Sequence, residues 1–162
     1  MKITEYKIIR DSGRHPKLII AHNYNWNGFD LNSYDNIVNM INSCFHMDKL
    51  NEEYGYVLAL DDRLNFLGVF EVGHGTIRNL NINIKEIYTF LLLIGAEQYI
   101  FFHNHPDGSL DVSQGDNNFT SSMNAFCGIL DINMLESIII SREGYTLIQE
   151  RRLEEFRKLF KR

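Results

Sequence analysis

The run QYIFFH, residues 98–103, constrains the fold of this chain more than any other stretch. It is short and apolar, and it reads as a strand. Helical patterns flank it in sequence. Before it, NIKEIYTFLLLIGAE places Ile84, Ile87, Tyr88, Leu91 and Ile94 on one helical face, and Gly95 supplies the C-terminal stop. After it, SQGDNNFTSSMNAFCGIL carries Phe119, Met123, Phe126 and Leu130 at helical spacing. Further strands surround this unit. TEYKIIR and KLIIAH lie either side of the turn DSGRHP, YGYVLALD and LNFLGVFEVG are joined through Asp61–Arg63, and LESIIIS and YTLIQE close around Arg142–Gly144. SYDNIVNMINSCF reads as a helix capped by Ser33. RRLEEFRKLFKR reads as an amphipathic C-terminal helix with Leu153, Phe156, Leu159 and Phe160 on one side. The order predicts an α/β (α+β) fold, a three-layer-like sandwich in which helices flank a mixed sheet.

Composition narrows the class. The 162 residues suit a single globular domain, and no apolar run reaches the roughly 20 residues that span a bilayer. The N-terminus has no apolar h-region and so does not read as a signal peptide. Cys44 and Cys127 are far apart and predict free thiols in a reducing cytoplasm. A net charge of −5 argues against a broad phosphate-binding face, so strong non-specific nucleic-acid binding is not expected. No membrane partner is expected either.

The loop after the apolar strand carries the chemistry. In HNHPDGSLDVSQGD, His103 and His105 are two residues apart at a strand end, so both imidazoles can face one ion. Asp116 opens the next helix, and Ser113-x-x-Asp116 also fits a capping box, so Asp116 can serve a metal or the helix N-terminus. Two histidines and one carboxylate leave a fourth position open, as in a catalytic zinc site. The same set also makes a facial triad for mononuclear iron. A base must take the proton of a metal-bound water. Glu71, an acidic residue in the apolar strand GVFEVG, is the candidate. His74 in VGHGT can approach such a site or lie on the surface, and Trp26, Tyr24 and Phe29 read as packing for the N-terminal segment.

His103-x-His105, seven residues, then Ser113-x-x-Asp116 resembles the JAMM (MPN+) metalloprotease signature. HNHPDG is similar to the HNHPSG of RadC-like JAB domains. LALDDRLNFLGVFEVGHGT, NIKEIYTFLLLIGAEQYIFFHNHP and LESIIISREGYTLIQE resemble that family's neighbouring segments over roughly residues 50 to 150. The resemblance implies a JAB/MPN (cytidine deaminase-like) architecture. It divides the chain into a lead-in over 1–50, a JAB/MPN-like core over 51–150 and the terminal helix over 151–162. It implies one zinc ion held by His103, His105 and Asp116, with Glu71 as acid/base and Ser113 stabilising an oxyanion. It also implies a peptide or isopeptide-linked protein as substrate. The rival implication is a non-catalytic binding module tied to DNA repair or mobile-element maintenance. Three positions depart from the pattern: Asp107 stands for Ser in HPSG, Ser137 for His in LDH, and NIK around Lys85 for DPR.

Overall fold

The computed structural model describes residues 1–28, 30–75 and 82–151. Phe29 and nearly all of the expected C-terminal helix lie outside them.

The strands are β1 (Lys2–Arg10), β2 (Pro16–Asn25), β3 (Tyr54–Leu60), β4 (Phe66–His74), β5 (Gln98–Asn104), β6 (Asn133–Ser141) and β7 (Gly144–Leu147). The helices are α1 (Tyr34–Phe45), α2 (Ile84–Ile94) and α3 (Gln114–Leu130), with a 3₁₀ turn at Met47–Lys49. The strands form one sheet in the order β2-β1-β4-β3-β5-β6-β7. Pairing is parallel for β1 with β4 and for β5 with β6, and antiparallel elsewhere. It follows that β1, β4, β5 and β6 all point the same way, and their C-terminal ends share one edge. In open α/β sheets that edge is where ligands bind.

Two cores lie on opposite faces of the sheet. On one face α1 packs Ile37, Met40 and Ile41 against Leu58, Phe102 and Ile138. On the other, α2 and α3 pack Ile87, Leu91 and Met123 against Val57, Tyr99 and Phe101. This is the expected mixed sheet flanked by helices. Every residue of β5 is buried, which explains its apolar character: the strand is covered on both faces. Phe101 and Phe102 are each worth about 1.5–3 kcal/mol by burial, one to each core.

Local chemistry explains the helix ends. Ser33 caps α1 by accepting from Asn36 N–H, and Asn83 caps α2 by accepting from Lys85 N–H. Gly95 ends α2 at φ 72°, a conformation that is strained for other residues. Helical spacing placed Phe126 with Phe119 and Met123, but Phe126 is 42% exposed. Its ring lies 5.4 Å from that of Tyr88 of α2. Trp26 and Tyr24 pack against the α1-side core, as expected for the N-terminal segment. Both cysteines are free. No helix among the described residues is long and apolar enough to cross a membrane.

Candidate metal centre

The end of β5 sets the site. His103 is paired with Gly55 of β3 and stacks on Phe101 at 5.8 Å, which puts its ring on the α3 face of the sheet. His105 follows one residue beyond the strand, and its backbone N–H donates to the carbonyl of Ile140 at 2.8 Å. Asn104 between them is buried. Its side chain accepts from Tyr54 N–H at 2.6 Å and donates to the carbonyl of Glu52 at 3.0 Å, which ties the start of β3 to this edge. Sequence reasoning passed over Asn104. The signal was a polar residue caught between two strand-end histidines.

A tight turn then brings the chain back. Asp107 Oδ1 accepts from Ser109 N–H at 3.0 Å, and Gly108 adopts φ 88°. This turn aims the carbonyl of Ser109 at His105 Nδ1, 3.2 Å away. A proton on Nδ1 completes that bond and leaves the Nε2 lone pair free to face an ion. Asp107, the departure from HPSG, is thereby accounted for. Its carboxylate makes the short-range turn bond that a serine hydroxyl makes more weakly.

Helix α3 supplies the third group. Ser113 Oγ accepts from Asp116 N–H at 3.1 Å, and Asp116 Oδ2 accepts from Ser113 N–H at 2.8 Å. That is a reciprocal capping box. The same carboxylate faces the histidines: Oδ1 is 3.0 Å from His103 Nε2, and Oδ2 is 3.8 Å from His105 Nε2. Asp116 therefore closes the helix cap and, with the same carboxylate, faces both histidines.

The donor atoms suit an ion. The two Nε2 atoms are 3.2 Å apart, and one ligand atom from each of His103, His105 and Asp116 lies within 4.8 Å of the others. Tetrahedral zinc with bonds of about 2.0–2.1 Å separates neighbouring nitrogens by about 3.3 Å. Electrostatics agree. Burial, then the neighbouring His103, lowers the His105 pKa below its ordinary 6.5, which keeps the ring neutral as a ligand must be. Burial alone would raise the Asp116 pKa, but hydrogen bonds with His103 and Ser113 outweigh it and hold the carboxyl far below its ordinary range. His103 Nδ1 is buried without a hydrogen-bond partner in the structure, as is Ser137 Oγ on the adjacent strand.

Glu71 is placed differently. It pairs in register with Tyr56, whose hydroxyl donates to its Oε2 at 3.4 Å. Its Oε1 lies 3.0 Å from His74 Nδ1, and the His74 ring stacks on Tyr54. Tyr54 and Tyr56 belong to the α1-side core. The Glu71 carboxylate thus rests on the opposite face from His103, at the same edge of the sheet. His74, expected either near the site or on the surface, is exposed and partners Glu71. Between Glu71 and His103 runs β3, where Gly55 is the register partner of both His103 and Gly73.

Comparisons with known proteins agree with this architecture. A family model described as RadC-like JAB domain matches residues 31–153. A UPF0758 protein of Neisseria meningitidis is 27% identical over 141 residues, covering 87% of this chain and 60% of that protein. A UPF0758 protein of Thermotoga maritima is 28% identical over 116 residues, covering 72% and 52%. Another from Haemophilus ducreyi is 28% identical over 99 residues, covering 61% and 44%. The chain thus spans about half the length of the curated relatives it matches. With most of its length matched by that model, the chain belongs to the RadC-like JAB domain family.

Proposed function

We propose that this protein is a metal-dependent hydrolase of the JAMM type, holding one zinc ion on His103, His105 and Asp116 and cleaving peptide or isopeptide bonds in a protein substrate. One observation carries the reading: three buried or half-buried donors converge at ligand-to-ligand spacing, with His105 oriented through Ser109. Zinc bound there would polarise a carbonyl and bring the pKa of a bound water to about 7. The remaining work falls to the chain. Asp116 is anchored by the Ser113 N–H, so its position does not depend on the ion. The Ser113 hydroxyl stands at the start of α3, where it can donate to a developing oxyanion. Glu71 takes the water's proton on a carboxylate oxygen and hands it to the leaving amine. For this its side chain must leave Tyr56 and His74 and reach the His103 face around the end of β3.

Elemental analysis of protein purified without added metal tests the first half, and separates zinc from iron. The second half is tested with Glu71→Gln on a broad panel of peptide and isopeptide substrates. Retained metal with turnover reduced about 100-fold or more is the expected result. A metal-replete protein without any Glu71-sensitive turnover across the panel would sink the catalytic reading.

A second reading, a non-catalytic binding module linked to DNA maintenance, is favoured by the engagement of Glu71 with Tyr56 and His74 on the far face. It expects Glu71→Gln to change nothing that is measured on amide substrates.

A further inference from the structure

The pairing of β1 with β4 covers only Glu5 with Val69 and Tyr6 with Phe70. Past that point the strands separate. Lys7–Arg10 stay paired with β2, and Glu71, Gly73 and His74 stay paired with β3. Alternate backbone N–H and C=O groups of Lys7–Arg10 point into the gap, and from β4 Phe70 and Glu71 line it. A cleft of about 640 Å³ opens there, lined by Lys7 to Arg10, Phe70 and Glu71, and bounded by the first turns of α2 at Asn83, Lys85, Glu86 and Thr89. The hairpin that forms one wall precedes the region matched by the family model.

We propose that this cleft binds an extended, acidic polypeptide segment, which adds as a strand between β1 and β4. The β1 edge beyond Tyr6, faced by Glu71 of β4, offers a row of main-chain donors and acceptors that an extended peptide can match. Ile8 and Phe70 supply an apolar floor for alternate side chains. The charge selects the rest. Lys7, Arg10 and Lys85 line the cleft, and no carboxylate among the described residues forms an ion pair with them. Of the two carboxylates that line it, Glu71 is already engaged by Tyr56 and His74. The N-terminal end of α2 adds positive potential. Lys7, Arg10 and Lys85 outnumber Glu71 and Glu86, so although the chain carries a net charge of −5, the cleft itself favours acidic over basic partners.

The position gives the cleft a use, and this use rests on the proposed hydrolase reading. From a strand seated in the gap, crossing β4 and β3 to β5 is about 14 Å at ordinary strand spacing. An extended chain covers that in about four residues. A segment held between β1 and β4 would leave the sheet at the edge where His103 stands, so the cleft would recognise acidic residues about four positions from the bond to be cut.

Fluorescence anisotropy tests the binding directly. The whole chain, kept metal-free with chelator, is titrated against a labelled short peptide of alternating valine and glutamate. Comparators are the valine–lysine peptide, the acidic peptide N-methylated at alternate amides, and a single-stranded oligonucleotide. The acidic peptide should bind at least about tenfold more tightly than all three. The double substitution K7E/K85E should weaken it about tenfold or more, while His103→Ala leaves it unchanged. Equal binding of the N-methylated or the lysine peptide to the unaltered protein would overturn the proposal without recourse to any variant. Tighter oligonucleotide binding, lost in K7E/K85E, would overturn it in favour of nucleic acid. Because binding is read without metal, absence of hydrolysis and absence of binding remain separate failures.

Discussion

Asp116 and Glu136 are both carboxylates held by backbone N–H groups, yet they are built for different ends. Glu136 is 0% exposed and accepts from Ser137 and Gln149 N–H at 2.8 Å and from Arg151 N–H at 2.9 Å. Its oxygens are taken up by the chain itself, and it fastens the segment after β7 onto β6. Asp116 gives one backbone contact to the cap of α3 and turns the rest of its acceptor capacity toward two imidazoles. A buried charge surrounded by its own backbone donors is structural. One that shares its surroundings with two imidazole nitrogens could meet a cation. The two also titrate in opposite directions. Burial raises the Glu136 pKa above its ordinary 4.5 despite the three N–H donors, whereas the Asp116 pKa falls below 3.8.

The largest effect should come from removing the cation-facing carboxylate. Asp116→Ala should lower zinc affinity by more than about 100-fold, since even loss of an outer partner costs about 10–100-fold. Competition with a chromophoric chelator measures it. Unchanged affinity would erase the distinction drawn between the two carboxylates. Glu136→Gln should do the converse, sparing zinc affinity while costing about 2–3 kcal/mol of stability in urea unfolding, because an amide N–H₂ must face backbone donors.

Acidity sharpens the same contrast in metal-free protein. For Glu136 the folded pKa is raised, so its stabilising contribution is complete below pH 4.5 and is lost as pH rises through the folded value. The stability gap between the parent protein and Glu136→Gln should therefore narrow as pH increases above 4.5. For Asp116 the contribution is present above pH 3.8 and is lost as pH falls through the depressed folded value. Asp116→Asn should flatten that acid limb. Urea midpoints across the acid range, with chelator present, give both slopes.

Smaller effects follow from the turn and the cap. Ser113→Ala should cost about 1 kcal/mol through the lost cap, read as a fall in Tm, with zinc still bound. If the hydroxyl also serves the oxyanion, turnover falls further than Tm accounts for. Asp107→Ser should change stability by about 0.5 kcal/mol or less, because the hydroxyl can restore the turn bond to Ser109 N–H.

Much of this was legible from local pattern. Two histidines at i and i+2 on a strand end share a direction whatever surrounds them, and Ser-x-x-Asp closes its capping box within one helical turn. Periodicity located the helices for the same reason. Phe126 shows where that logic ends: a helical face is wider than the sheet beneath it, so spacing could not tell the packed residues from the fringe. Asn104 was missed because its partners, Tyr54 and Glu52, lie some fifty residues away in sequence.

The strand-end histidines, the cap that holds Asp116 and the family were readable from short segments alone. These depend on contacts within a few residues, where chain geometry leaves little choice. Which face of the sheet Glu71 occupies, the parallel run of β1 beside β4 with its parting after Phe70, and the anchoring by Glu136 emerge only once the chain is folded. Each of those rests on strand order and register, which are set by the packing of two cores against one sheet and are written in no single segment.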